Sequence, residues 1–414
     1  MARLPETYNR QVTSQRARTR CAAALLAAWA GALPGEAGES WRLVAGVRVD
    51  VAGEVDGVLA AGDEGRFNDS AYRSSALQRL RLRLLTRIAL GDHVSVLGEL
   101  RSEDLAPPDV YALFLRLRPW RERPVDLQAG LIPPVFGAWS RRNYAWENPL
   151  ISAPLPFRYL TSMRSDAVPG SADDVYGARG QGSWVSLPDA GVSPASGLPL
   201  VDGLRYDTGL QLRVGERPVQ LAVALTRGSP SSPVVREDND SKTLAGRLEL
   251  NPDPGLTLGF SAARGAYLGR AALDERPELR AGDFQQVAFG ADVEWSKGYW
   301  LIRAEAVRSD WESPAWTAGA PNRSLAAWGL TGEARYKILA GLYAAARYDH
   351  LGFEDVPGPE GAMSWDAPVS RLELGGGWAP LRGLLFKLAW QQNWRDGGPR
   401  RRDGLLAAQA VLWF

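Results

Sequence analysis

From about residue 40 onward, apolar and polar residues alternate in short segments. A period of two predicts half-exposed strands, since the apolar positions of a helix recur every three or four residues. Arg79–Leu90 carries the clearest pattern: Leu80, Leu82, Leu84, Ile88 and Leu90 fall on one face and Arg79, Arg81, Arg83 and Arg87 on the other. Such a two-faced strand suits a soluble sandwich with its apolar face inside, and equally a barrel with its apolar face outside. The number of strands and the lengths of their connections separate the two. Sixteen strands are predicted, at 42–54, 76–90, 92–104, 109–119, 124–133, 203–214, 217–227, 242–251, 254–264, 284–296, 298–309, 324–337, 340–351, 368–380, 383–395 and 403–414. A second pairing of the sequence adds 180–187 to the wall and shifts the count by two.

The connections alternate in length. Short ones lie at Gly91 and Asp92, at 215–217, at 251–254, at Ser296 and Lys297, and at 379–382, while most others are long. The brief turn around Pro107 and Pro108 is the exception. Tight turns at one end, longer loops at the other and an even strand number predict an all-β fold, a transmembrane antiparallel β-barrel with both ends of the wall on the short-turn side. The outward faces then read as lipid-facing: Leu244, Leu248 and Leu250; Leu256, Leu258 and Phe260; Val287, Phe289, Val293 and Trp295; Leu384, Phe386, Leu388 and Trp390. Trp120, Trp295, Trp300, Trp328, Trp378 and Trp394 fall near predicted strand ends, where amphipathic rings suit the headgroup level. The alternative for each is a place in a sandwich core.

Composition narrows the function classes. Across 414 residues, 48 basic side chains balance 47 acidic ones, which gives no electrostatic footprint for nucleic acid, and a mean hydropathy of −0.22 argues against a bundle of spanning helices. The single cysteine, Cys21, leaves no partner for a disulfide or a thiolate metal site. It lies in an N-terminal stretch that reads as an export signal: Arg10, Arg16, Arg18 and Arg20 precede an uncharged run, 21–33, too short to stop transfer. Small residues place cleavage after Ala37, with Ala30 and Ala32 as alternatives. The expected organisation is therefore a cleavable signal at 1–37 followed by one barrel at 38–414. Removing 1–37 takes away five Arg and two Glu and leaves the remainder near neutral. Arg20 directly before Cys21 departs from a lipoprotein signal.

The last strand, 404–414, reads GLLAAQAVLWF, with Leu406, Ala408, Ala410, Leu412 and Phe414 on one face and an aromatic residue at the carboxyl end. This resembles the terminal signature of Gram-negative outer-membrane proteins, in which Leu412 and Phe414 would be recognised by the barrel-assembly machinery. With the export signal and sixteen alternating strands, the whole mature chain is similar to the sixteen-stranded porin class. The resemblance implies residence in the outer membrane of a Gram-negative bacterium, contact with its lipid and lipopolysaccharide, and a homotrimer. It also implies that the connection after strand five, 134–202, is the third outer loop, folded into the lumen as a constriction. Its aromatics, among them Phe136, Trp139, Tyr144, Trp146 and Phe157, separate it from a solvated tail. The alternative is a cap over the mouth.

Opposite such a loop a porin carries a basic wall, and the inward positions of strands two to four supply Arg79, Arg81, Arg83, Arg87, Arg101, Arg116 and Arg118, with Glu99 as the main acid. Arginine outnumbers lysine 44 to four, and its guanidinium stays charged and suits carboxylate or phosphate contacts. Two readings stay open. Either this wall favours anions, or its Arg side chains pair with acids of the long loop, Glu147, Asp166, Asp173 and Asp174, and only shape a transverse field. Elsewhere the lumen mixes charges such as Asp207, Arg247, Asp292, Arg303, Glu305, Arg347, Arg371, Glu373 and Lys387, which implies water.

Catalytic and metal chemistry find little support. The only imidazoles, His93 and His350, lack the Ser and Asn spacing of an outer-membrane phospholipase. The acidic run at 237–240 lacks the spacing and glycine of a calcium loop, and the glycines at 375–377 fall inside a strand and outside any phosphate-loop context. The expectation is a non-enzymatic, cofactor-free and metal-free porin that passes small polar or anionic solutes by diffusion. A scaffold, adhesin or complex subunit with a plugged lumen is the alternative.

Overall fold

The computed structural model describes residues 46–68, 77–120, 122–315, 323–357 and 361–414 in full, and the backbone alone of 39–44 and 358. The expected signal at 1–37, with Cys21 and the candidate cleavage positions, lies outside the described residues.

A short strand β1 (Glu39–Val44) forms a hairpin with β2 (Val47–Ala60), and the wall continues through β3 (Arg79–Leu90), β4 (Val94–Glu103), β5 (Asp109–Leu117) and β6 (Val125–Ile132). A small hairpin, β7 (Val185–Leu187) and β8 (Val192–Ala195), stands apart. The wall resumes with β9 (Asp207–Glu216), β10 (Val219–Thr226), β11 (Thr243–Asp253), β12 (Leu256–Ala266), β13 (Gln285–Lys297), β14 (Trp300–Ser313), β15 (Arg323–Leu339) and β16 (Leu342–Phe353). A second small hairpin, β17 (Asp355–Gly358) and β18 (Gly361–Ser364), precedes β19 (Val369–Leu381), β20 (Leu384–Arg395) and β21 (Arg402–Trp413). Strand β6 pairs with β9, β16 with β19, and β21 returns to β2, which closes a sixteen-stranded antiparallel barrel. At the closure, Phe414 and Gly53 exchange backbone hydrogen bonds of 3.1 Å each.

Two sequence expectations are corrected here. The first wall strand runs 47–60, beyond the expected 42–54: the positive φ of Gly46 (85°) makes the turn, and the alternation of Val47, Val49, Val51, Val55 and Leu59 continues past Glu54 through small residues that blur it. The segment 180–187 adds nothing to the wall, because β7 pairs with β8 in a separate two-stranded sheet. The tight turns lie within two residues of their expected places. Gly91 (φ 70°) and Gly298 (φ 61°) sit at two of them in the left-handed region that side chains disfavour.

Outward and inward faces separate as the alternation demands. Leu388 (57% exposed), Phe289 (54%) and Phe260 (51%) point outward, and the same face holds Leu406 and Leu412 on β21. On β14 and β15 the register pairs Trp300 with Tyr336 and Arg308 with Trp328. Eight residues separate these rungs, roughly 26 Å of strand, or about 20 Å along the membrane normal for a tilt of about 40°. Beyond Trp328 the outward positions of β14 turn to Arg308, Asp310 and Glu312, so the apolar band ends at an aromatic rim. Trp120, Trp295, Trp300 and Trp378 are exposed at the short-turn end, and Trp394 is half-buried at the other.

Among the described residues no helix is long and apolar enough to cross a membrane. At the long-loop end an apolar core forms from Leu155, Phe157, Tyr159, Leu200 and Val201 of the long connection, packed with Trp311, Leu325, Leu351 and Trp365. The segment therefore pays the entropy of its ordering with buried apolar surface.

Candidate functional site

The inward face of the wall is a belt of paired charges, and cross-strand register sets the pairs. On β2 and β3, Glu54 stands opposite Arg83 and Asp56 opposite Arg81. The resulting contacts are Arg83–Glu54 (3.3 Å) and Arg79–Asp56 (3.3 Å), followed by Arg81–Glu103 (2.7 Å) and Arg101–Glu99 (2.9 Å) towards β4. On the far side Arg247 takes Asp292 with both nitrogens (2.6 and 2.9 Å), Arg303 joins Glu294 (2.9 Å) to Glu333 (3.1 Å), and Arg347 joins Asp349 (3.1 Å) to Glu373 (2.6 Å). Most of these groups are buried, where an unpaired charge is costly.

At the short-turn end of β2–β11 the ratio changes. Asp50 lies between Arg48 (3.1 Å) and Arg87 (3.9 Å), Asp126 between Arg116 (2.6 Å) and Arg118 (3.6 Å), and Glu249 between Arg141 and Arg247. Asp50 and Asp126 are each shared by two guanidinium groups, while Glu249 has Arg141 and a longer contact to the Arg247 already held by Asp292. Arg48, Arg87 and Arg118 remain substantially exposed, so this end of the interior carries positive charge in surplus.

The long connection meets the inward face along residues 137–153. Gly137 donates its N–H to Ser261 (3.1 Å) and Ala138 to Glu305 (2.8 Å), while Arg142 reaches Glu294 (2.7 Å). Arg83 donates to Asn143 (3.2 Å), the Tyr144 hydroxyl donates to Glu99 (3.1 Å), and Ala145 donates its N–H to Glu54 (2.8 Å). Lys387 gives its ammonium to the carbonyls of Ala145 (2.6 Å), Asn148 (2.6 Å) and Leu150 (3.1 Å). Glu373 accepts from the amides of Ile151 (3.2 Å) and Ser152 (3.1 Å) and from the Ser152 hydroxyl. The partners lie on β2–β4, β11–β14, β19 and β20, around most of the wall. An aromatic stack runs from Tyr144 through Trp146 to Trp413 beside the barrel's closure. Two inward glycines make room: a Cβ on Gly290 would stand 2.9 Å from the Phe136 ring, and one on Gly329 would stand 2.7 Å from Pro156.

Two cavities border the wall from β2 to β11. One, of about 450 Å³, lies among Arg116, Arg118, Asp126, Arg141, Arg213 and Glu249. The other, of about 480 Å³, lies between Leu85, Leu97 and Phe114 on the strands and Tyr144 and Tyr206 across from them.

All seven arginines expected on the basic wall stand in this belt. Their partners are the wall carboxylates Asp50, Glu54, Asp56, Glu99, Glu103 and Asp126, where the sequence reading put Glu99 foremost. The loop acids take other roles. Asp166 pairs with Arg164 (2.8 Å) beside it in the chain, and Asp174 accepts from the amides of Gly170, Asp189 and Ala190. Asp173 is exposed in the first turn of the short helix Ala172–Gly177, and Glu147 is exposed among 137–153. Asp366, in the connection before β19, accepts from the amides of Gly180 and Ser162 (2.7 Å each) and ties two loops together, and its burial pushes its carboxyl above the ordinary range.

His93 meets the carbonyl of Arg118 (2.8 Å) beside a turn, and His350 meets the Ser370 hydroxyl (2.8 Å) on the outward face, against Trp328. Among the described residues no carboxylate hydrogen-bonds either ring, so neither has the third group that orients a catalytic base. The acidic run at 237–240 is tied to its neighbours: Glu237 pairs with Lys242 (2.6 Å) and Asp238 accepts from the amide of Arg270 (3.2 Å). Among the described residues no group of three His, Cys, Asp or Glu side chains comes together as metal ligands.

No family model and no curated protein sequence matches the chain. Solved structures do. OmpT, an outer membrane protein of Vibrio cholerae, is similar over 91% of this chain and 100% of its own (TM-score 0.54, 10% identity). The anion-selective porin from Comamonas acidovorans is similar over 89% and 100% (0.53, 11%), and the outer membrane channel DcaP of Acinetobacter baumannii over 92% and 100% (0.54, 11%). At such identities the likeness is one of fold, and it covers the barrel from end to end. The chain therefore has the sixteen-stranded β-barrel fold of outer-membrane porins and channels.

Proposed function

We propose that this chain is a passive, water-filled channel of a Gram-negative outer membrane, selective for small anionic solutes, with 134–202 as its constriction loop. The observation that carries the reading is the uneven use of the inward face. Residues 137–153 are hydrogen-bonded to buried charges around most of the wall, while the wall from β2 to β11 also borders two cavities, and around the one of about 450 Å³ arginines outnumber carboxylates. A loop fixed to the wall and a charged path left beside it set the size and charge of what passes without any energy input. The apolar outer band and the terminal Leu412 and Phe414 fit lipid, lipopolysaccharide and insertion by the barrel-assembly machinery, and a homotrimer follows from the porin resemblance. Export through a signal at 1–37 completes this reading. It assigns no catalytic step, cofactor or metal.

Liposome swelling tests it. Vesicles holding the refolded chain are expected to swell in small solutes at rates that fall with solute size and do not saturate, faster for gluconate than for a cation of equal size. Vesicles that stay shrunken in every solute would favour the plugged scaffold.

A further inference from the structure

The paired charges of the inward face are interrupted on β3, β4 and β5. Leu85, Leu97 and Phe114 come from β3, β4 and β5 and point inward at neighbouring rungs: the register sets Arg87 opposite Leu97, and Leu97 opposite Phe114. Phe114 packs in part against the apolar cluster of Ile132, Val135 and Ala224, but Leu85 and Leu97 belong to no such cluster and forgo burial on a charged inward face. Each is only partly buried in this chain, and together they form one wall of the cavity of about 480 Å³. Tyr144 and Tyr206 form the facing wall. Both rings are held: Tyr144 by its bond to Glu99 and by the Arg83 guanidinium 4.8 Å from its centre, Tyr206 by Tyr111 at 5.0 Å. The result is a slot with two apolar faces.

The charges bordering the slot decide what kind of body it accepts. Glu99 is already committed to Arg101 and Tyr144, and Asp50 is shared by Arg48 and Arg87. Three guanidinium groups, Arg48, Arg87 and Arg101, thus stand over the two carboxylates at the slot, and the next cavity along the wall adds Arg116 and Arg118 on the single Asp126. An apolar body between aromatic and aliphatic faces, with an anionic head toward guanidinium, satisfies both features at once.

Resting on the channel reading above, we propose that this slot is a binding site for amphipathic monocarboxylates, an aromatic ring or a short hydrocarbon chain bearing one carboxylate, and that such solutes are the preferred cargo. Simple anions pass the same route without lodging in it.

The test uses the refolded full chain in planar bilayers in potassium chloride, with benzoate, hexanoate, acetate or benzyl alcohol added. Benzoate and hexanoate are expected to interrupt the current transiently at concentrations where acetate and benzyl alcohol do not. Leu97→Ser and Phe114→Ser, checked for folding by heat-modifiable gel mobility, should each weaken the benzoate interruptions relative to acetate by roughly tenfold, from lost apolar contact, and Leu97→Ile should retain them. Equal behaviour of benzoate and acetate, or serine variants with an unchanged ratio, overturns the site and leaves the channel standing. A silent barrel overturns the channel. The site is then decided by saturation-transfer NMR of benzoate on the folded protein, where signal that is lost in Phe114→Ser supports the slot and no signal in the parent chain rejects it.

Discussion

Arg87 and Arg118 illustrate what the identity of one residue can reveal about this interior and what it cannot. Alternation alone places both on the charged face. Whether they act on a passing ion depends on how many carboxylates stand opposite, which is a matter of register between strands and invisible along the chain. Asp56 was hidden further by the misplaced end of the first strand, and Asp126 lies a strand away from the arginines it neutralises. Replacing Arg87 and Arg118 together by Glu is expected to move the zero-current potential in a salt gradient from the anion side towards the cation side, because both lie where two guanidinium groups share one carboxylate. Glu373 belongs to the opposite class. It accepts two backbone amides and a hydroxyl of the long connection and balances the buried Arg347. Glu373→Ala leaves Arg347 with Asp349 alone at close range and strips the amides of Ile151 and Ser152 of their acceptor, and thermal unfolding in detergent should register a loss of about 1–3 kcal/mol. A loss below about 1 kcal/mol would mean that water reaches the site.

Among the elements, the strands were the most legible and the long connection the least. A period of two survives in most wall strands because one face meets lipid and the other a mostly charged interior, and tight turns announce themselves through glycines such as Gly91 and Gly298. The connection 134–202 offers no such period. Its aromatics revealed that it packs, but the partners come from distant strands, and the short helices Leu155–Arg158 and Ala172–Gly177 have no repeating face to detect. Its seating also depends on absences, namely the missing side chains of Gly290 and Gly329. Gly290→Val would displace the Phe136 ring and is expected to destabilise the barrel by about 1–3 kcal/mol, with larger and noisier conductance. Normal conductance and stability would show that Phe136 finds a second seat. Deleting 139–150, which removes most of the contacts from Arg141 to Leu150, should raise single-channel conductance several-fold if this stretch constricts the channel. An unchanged conductance would move the constriction elsewhere.

At the scale of the whole molecule the inside-out pattern is the informative feature. Apolar side chains such as Leu388 and Phe289 lie exposed on the outer band while Arg83, Arg347, Arg371 and Glu373 are buried within, an inversion that suits a hydrocarbon solvent outside and water or a polar segment inside. The barrel, its strand number and its closure by 404–414 follow from sequence and structure alike. The solute and the width of the path depend on side chains that no period announces. The central claim, passive conduction with a preference for anions, is tested most directly by single-channel recording of the refolded chain across a potassium chloride gradient. Stable, stepwise currents with a zero-current potential on the chloride side are the expected result. A correctly folded barrel that conducts nothing, or whose potential lies on the potassium side, would contradict it.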